Sequence, residues 1–341
     1  MHALPPRIGA LPSGPRDAIT DVAGVTVGHA TRSEGAVQTG VTVVRPHAGD
    51  PYLQRVPAGV AVINGFGKSV GLVQVQELGV LESPIALTNT FSVPAVAAAQ
   101  IRQCVAANPE CGRSLPTVNP LVFECNDGYL NDIQRMVAGE ADYLAAWSAA
   151  RDTPTQGAVG AGRGMSCFGL KGGIGTASRC VDGFTVGALV LANFGLLPNL
   201  LLAGHPIGGE LAARLEAQKA GAGPEKGSII VLIATEAPLD ARQLRRLAVR
   251  AGVGIARTGS VFGHGSGDIA LAFSTAYTVP LSPDEPMPCV AMLHDARLDG
   301  LFQAVADSVE QAIVHAMWHA EPVAGRDGHA RAALRDLLPN A

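Results

Sequence analysis

The chain has 341 residues, of which 48% are hydrophobic and only 16% charged, and its net charge at pH 7 is −4. That composition excludes a disordered chain and supports a large packed core; Lys and Arg are spread along the sequence, which leaves no electrostatic footprint for nucleic acid. Aromatics are scarce at 4% and glycines number 41, so the core is expected to rest on Val, Leu, Ile and Ala, with many tight turns.

Residues 1–20 are rich in Pro and Gly and are expected to lie over the surface. Prolines stand there where a secretory signal needs an apolar run. No stretch approaches about 18 uninterrupted apolar residues, so a cytoplasmic, soluble protein with no membrane partner is expected. Strand-like runs follow at 25–27, 41–44, 59–63 and 84–87, separated by turns such as Asn64-Gly65. Apolar residues three and four apart predict helices over 93–106 and 138–150. Glycine-interrupted strands are predicted at 166–170 and 184–192, and a fully buried one at 228–234. Asp240 caps a helix that ends at Gly252, on which Arg242, Arg245, Arg246 and Arg250 form a solvated face opposite Leu244 and Leu247. Strands at 268–274 and 288–293 and a helix over 299–318 complete the chain. Helices stand between groups of strands rather than after each one, which is a layered α+β pattern with no dividing linker and no visible internal repeat.

Several motifs fail on inspection. The six cysteines form no Cys-x-x-Cys pair and no zinc-like spacing, and read as free thiols. Gly67-Lys68-Ser69 lacks the upstream glycine of a phosphate loop, since that position is Val62, and reads as a turn. Gly263, Gly265 and Gly267 precede a strand, so no helix N-terminus is offered to a pyrophosphate. His315 and His319 stand four apart on a helix with no third ligand, and read as a surface pair. His29 and His205, each beside a glycine, read as turn residues. No metal or other cofactor is expected.

Thr258-Gly259-Ser260, at the start of a predicted strand, carries more chemistry. A Ser hydroxyl needs an adjacent base. If the chain breaks before Ser260, the new α-amine, with an ordinary pKa of about 7.7–8.0, sits on the same residue and serves as that base. Gly259 leaves its own carbonyl unobstructed and tolerates a strained turn. Gly-Ser alone is most often a turn. Around it, however, stand "DAITDVAGVTVGHAT" (17–31), "GFGKSVGL" (65–72), "LESPIALTNTFSV" (81–93), "ECNDGYLNDI" (124–133), "KGGIGTASR" (171–179), "VLANFG" (190–195), "ARTGSVFGHGSGDIALAFST" (256–275) and "LFQAVADSVEQAI" (301–313), in that order.

With these stretches the chain resembles the DmpA family of self-processing, P1-type aminopeptidases. They include L-aminopeptidase/D-amino-acid esterases and β-peptidyl aminopeptidases, and nylon-oligomer hydrolases are related. The resemblance implies one domain, a four-layer αββα sandwich like that of the Ntn hydrolases, cut at Gly259-Ser260 into 1–259 and 260–341. It implies a homo-oligomer, a tetramer of processed units, acting on small peptides, amides or esters through an acyl-enzyme on Ser260. Asn193 is then the oxyanion donor, worth roughly 3–4 kcal/mol, and Glu124 the carboxylate that holds the substrate ammonium. Tyr129 lines the substrate pocket, and Lys171 beside Ser260 favours the neutral amine. Read without the family, Asn193 is a turn residue, Glu124 belongs to a strand-end loop, Tyr129 packs and Lys171 is an exposed turn lysine. One region departs from the pattern: β-peptidyl aminopeptidases carry Ser-x-Glu before the last helix, where this chain has His294 and Ala296. The acids at hand are Asp295 and Asp299, and Asp295 is expected to orient Ser260. An endo-acting hydrolase of ω-amino-acid oligomers and an ornithine-acetyltransferase-like acyltransferase are the alternatives.

Overall fold

A computed structural model describes residues 4–216 and 226–338. In chain order the longer elements are β1 (Thr26–Glu34), β2 (Val37–Arg45), β3 (Gln54–Gly65), α1 (Leu72–Leu78), β4 (Ile85–Asn89), α2 (Val93–Ala107), β5 (Leu121–Cys125), α3 (Glu140–Ser148), β6 (Gly173–Val181), β7 (Phe184–Asn193), α4 (Gly208–Glu216), β8 (Lys226–Thr235), α5 (Ala241–Arg257), β9 (Gly265–Ser274) and α6 (Leu298–Trp318). One sheet has the order β1-β2-β4-β5; the other runs β3-β9-β8-β7-β6, with short strands at Val80–Leu81 and Val279–Pro280 against β3.

The side-chain period of two builds the layers. In β8, Ile230 and Leu232 face the other sheet, meeting Ile85, Leu87 and Phe123, while Ile229, Val231 and Ile233 face Leu244, Leu247 and Val309 on the outer helices. A strand buried on both faces reads as a continuous apolar run. On the far side α2 and α3 cover the first sheet through Val96, Tyr143 and Ala146. The result is the αββα sandwich expected.

The two sheets repeat one plan: an antiparallel hairpin, an antiparallel third strand, a helical crossover, a parallel fourth strand, and a helix returning over the hairpin. The hairpins match residue for residue. Gly28 pairs with Val43 and Thr31 with Gly40 in one; Gly175 pairs with Val190 and Ser178 with Gly187 in the other. Both Gly28 and Gly175 admit the returning helix: a Cβ would stand 2.0 Å from the Ala146 carbonyl oxygen in the first case and 1.9 Å from that of Ala312 in the second. Ala30/Ala177 and Arg32/Arg179 complete a repeat too sparse to stand out in the sequence, and β3 with α1 interrupts the first copy.

Other expectations are corrected. Residues 288–293 are irregular chain, not a strand. The 166–170 strand is two short strands, Ser166–Cys167 and Leu170–Lys171, turning at Phe168-Gly169, and β6 follows from Gly173, where no strand was expected. Helix α5 does not stop at Gly252 but runs on to Arg257; Gly254 lets it approach α6, since a Cβ there would lie 2.7 Å from the Ala306 carbonyl oxygen. His315 is buried rather than paired at the surface, with Nδ1 2.7 Å from the Thr176 carbonyl oxygen. His29 lies within β1, its Nδ1 2.9 Å from the Thr42 hydroxyl, and burial lowers its pKa to about 4. No described helix is long and apolar enough to cross a membrane.

Candidate active site

Ser260 lies on the crossover loop of the β8-α5-β9 unit, not on a strand. Asp240 starts α5 with a reciprocal cap, accepting from the Gln243 amide at 2.7 Å and donating its own amide to the Gln243 side chain at 3.1 Å. At the other end the Thr258 hydroxyl donates to the Ile255 carbonyl at 2.7 Å, and the Leu201 amide donates to the Thr258 carbonyl at 2.9 Å. Gly259 then turns with φ +101° against the 199–201 segment, where a Cβ would stand 1.8 Å from the Asn199 carbonyl oxygen. Ser260 follows, 8% exposed, with its hydroxyl oxygen accepting from the Phe262 amide at 3.2 Å. Phe262 itself has φ +53°, a conformation that costs a bulky residue energy. The Asn64 side chain donates to the Gly263 carbonyl at 2.8 Å and pins the loop to the end of β3.

Glu124, near the end of β5, is buried. Its carboxylate accepts from the Lys68 amide at 2.7 Å and from the Thr90 hydroxyl. The turn carrying Lys68 lies between Glu124 and the start of β9: a Cβ on Gly67 would be 3.6 Å from Glu124 Oε1 and 3.8 Å from Gly267 Cα. Asp268, near the start of β9, accepts from the Ser266 hydroxyl at 2.6 Å. The thiol of Cys125 senses both acids: burial pushes its pKa well up, and the charges of Glu124 and Asp268 add to the rise. The bonds of Glu124 come from neutral donors, and among the described residues no Lys or Arg forms an ion pair with it. Its charge is therefore available to a cationic ligand.

Asn193 closes β7 and stands in one row with Ser228 of β8 and Gly267 of β9. At ~4.8 Å per strand that is about 10 Å from Gly267. Its side-chain oxygen accepts from the Ser166 amide at 2.8 Å and its nitrogen donates to the Asn126 carbonyl at 3.0 Å. A carboxamide has a second N–H, which leaves Asn193 one donor to offer. Tyr129 is 39% exposed at the rim, stacked on His329 at 4.5 Å and with the Arg331 guanidinium 3.6 Å from its ring centroid.

Two predicted residues are placed elsewhere. Lys171 is fully buried, and burial lowers its pKa, yet its ammonium donates to the carbonyls of Gly162, Met165 and Gly172 at 2.9, 2.7 and 2.8 Å. All three of its N–H bonds are spent on the loop that carries Ser166, and none is left for Ser260. Asp295 is half-exposed and bound by Arg242 at 2.8 and 2.9 Å and by Gln243 at 2.7 Å. Those partners sit in the first turn of α5, whereas Ser260 lies past its last residue; at ~1.5 Å per residue a helix of 17 residues puts Asp295 more than about 20 Å from Ser260. The structure thus places Glu124 and Asn193 at the ends of β5 and β7 and Ser260 on the loop that enters β9, and it commits Lys171 and Asp295 to other partners.

The sequence reading missed the residues that hold these three: Thr90 and the Lys68 amide for Glu124, Ser166 and Asn126 for Asn193, Asn64 for the loop. Thr90, Lys68, Asn126 and Asn64 lie in or beside quoted stretches and Ser166 lies outside them, and bonds of these kinds leave no residue pattern. A cavity of about 620 Å³ is lined by Thr31, Arg163, His319 and Glu321 among others, and by none of the three. Among the described residues no group of three His, Cys, Asp or Glu side chains is placed to hold a metal ion.

Residues 17–331 match the family described as Peptidase family S58. The chain is 39% identical over 354 residues to the β-peptidyl aminopeptidase BapA of Sphingosinicella microcystinivorans, covering 95% of this chain and 88% of that protein. Its structure is similar to that of the PH0078 protein from Pyrococcus horikoshii OT3, with TM-score 0.90 and 45% identity over 96% of this chain and 94% of that one. It is also similar to the L-aminopeptidase D-Ala-esterase/amidase of Ochrobactrum anthropi, described as a variant among the Ntn hydrolase folds, with TM-score 0.87 and 37% identity over 96% and 93% of the two chains.

Proposed function

The chain belongs to peptidase family S58 and is an aminopeptidase of the N-terminal-nucleophile type; from that premise we propose that it cuts itself between Gly259 and Ser260 and then uses Ser260 to release N-terminal residues from short peptides, amides or esters. The observation that supports this reading is Gly259-Ser260 on a positive-φ turn leading into β9, together with a buried Glu124 that no described Lys or Arg pairs with. In the precursor the Ser260 hydroxyl attacks the Gly259 carbonyl; the C–N bond breaks as the acyl group moves to oxygen, and water hydrolyses the ester. Gly259 keeps a carboxylate and Ser260 gains a free amine.

In turnover that amine takes the hydroxyl proton while Ser260 attacks the substrate carbonyl. The free N–H of Asn193 meets the developing oxyanion. Glu124 pairs with the substrate ammonium and so selects chains with a free N-terminus. The amine returns the proton to the leaving nitrogen, and water frees the acyl group. A carboxylate bonded to the substrate ammonium tolerates an extra methylene between ammonium and carbonyl, so both α- and β-aminoacyl substrates are proposed; BapA is named for the latter. We further propose a cytoplasmic homo-oligomer, supported by the exposed Val62, Val73, Leu78, Val249 and Val253.

Denaturing electrophoresis with N-terminal sequencing tests this. Active protein should give two fragments, the smaller beginning Ser-Val-Phe-Gly. The Ser260→Ala chain should remain a single inactive band, and retained activity in that variant removes Ser260 from the nucleophile's role.

A further inference from the structure

The stretch that closes the described chain does more than cover the fold. Val323–Ala324 pairs with Ala330–Arg331 in a small hairpin, closed by the Gly325 amide donating to the His329 carbonyl at 2.8 Å. The hairpin grips the loop that follows Glu124. The Arg326 amide donates to the Leu130 carbonyl at 2.9 Å, its Nε donates to the Gly128 carbonyl at 2.7 Å, and His329 Nδ1 lies 2.8 Å from the Tyr129 carbonyl oxygen. Gly325 is pressed so closely that a Cβ would stand 1.9 Å from the Leu130 carbonyl oxygen. Tyr129 thus has His329 stacked on its ring, tilted by 7°, and the Arg331 guanidinium 3.6 Å from its ring centroid. The Arg331 Nε then donates to the Ser166 hydroxyl at 3.1 Å, and the Ser166 amide holds the side-chain oxygen of Asn193.

We propose that Arg331 is a positioning residue for the aminopeptidase reaction, joining the ring of Tyr129 to the Ser166–Asn193 pair. This rests on the reading of Asn193 as the oxyanion donor. A guanidinium suits the position because one flat group stacks on a ring through its face and donates in its own plane through its edge. An ammonium has no such plane. Lys171 fixes the same loop from below, through its three carbonyls and through its amide, which donates to the Ala332 carbonyl at 2.9 Å. Arg331 fixes it through the Ser166 hydroxyl.

The test uses full-length chains with activity counted per cleaved molecule. In Arg331→Ala, kcat on an aminoacyl p-nitroanilide should fall about tenfold or more while KM changes less than about threefold, the pattern of an interaction realised in the transition state. Arg331→Lys should lose as much, and added guanidinium ion should restore part of the Arg331→Ala rate, whereas ammonium should not. Ser166→Ala keeps the amide bond to Asn193 and removes only the hydroxyl, so it carries the test if Arg331→Ala precipitates; its kcat should fall about threefold. Unchanged kcat in the soluble variants overturns the proposal, as does a loss that follows thermal melting alone and is not rescued by guanidinium. An active Ser260→Ala chain overturns the underlying reading instead, and the two failures are separable.

Discussion

Gly259 is fixed by two independent demands, a φ of +101° and the carbonyl oxygen of Asn199 at 1.8 Å from any added Cβ. Left-handed backbone costs an L-residue on the order of 1–2 kcal/mol, so Gly259→Ala should slow self-cleavage about tenfold or more, read as the rate at which the full-length band disappears. Asn193→Ala should reduce kcat by about a hundredfold or more, the usual loss for one oxyanion donor, with less change in KM; an equal rise in KM would indicate a role in ground-state binding. Ser260, Asn193 and Glu124 were legible because each stands in a long stretch whose order carries a resemblance. Asp295 was not, because its fate depends on the length of α5, and no local pattern reports that Arg242 and Gln243 stand at the end remote from Ser260. Lys171 was expected beside Ser260, and no local pattern reports that the carbonyls of Gly162, Met165 and Gly172 take its N–H bonds instead.

At the scale of elements, α2, α3, α6, β7 and β8 were read to within two residues because their periodicity is set by burial on one face or two, whereas β1 and β3 were read short, α5 was ended five residues early and β5 was not read as a strand. Strand β6 was not, since Gly175 is there for the passage of α6 and Gly173 for the close approach of Gly157, rather than for a turn. The loop between Glu124 and Asn131 was read only as a strand-end loop, and it contains an acid with a consequence for stability. Burial raises the pKa of Asp127 to about 7, despite a 3.0 Å bond from the Asn131 side chain. The folded chain therefore holds a proton that the unfolded chain has released between the ordinary carboxylate range and about pH 7. Stability from this group is present at low pH and lost as pH rises through that window. Asp127→Asn removes the dependence. The melting temperature of the parent relative to this variant should decline from pH 5 to about pH 7 and level off above it, and a constant difference would contradict the assignment.

Across the whole molecule, the proposed cut divides the chain but not the core. Strand β9 lies between β3 and β8 in the middle of its sheet, and α6 packs over β6 and β7 from the other fragment. Fragments 1–259 and 260–341 should therefore elute together from a sizing column and part only in denaturant; separation in native buffer would argue against a shared core. The position of the cut also bears on how the protein can be made. Parallel strands β8 and β9 are neighbours because α5 ties them within one chain. Once that tie is severed, an unfolded pair of fragments must find one another by diffusion. Renaturation of the mature form becomes second order in protein, while the intact Ser260→Ala chain refolds at a rate independent of concentration. The enzyme is then folded once, as a precursor, and its loss on unfolding in dilute solution is effectively one-way.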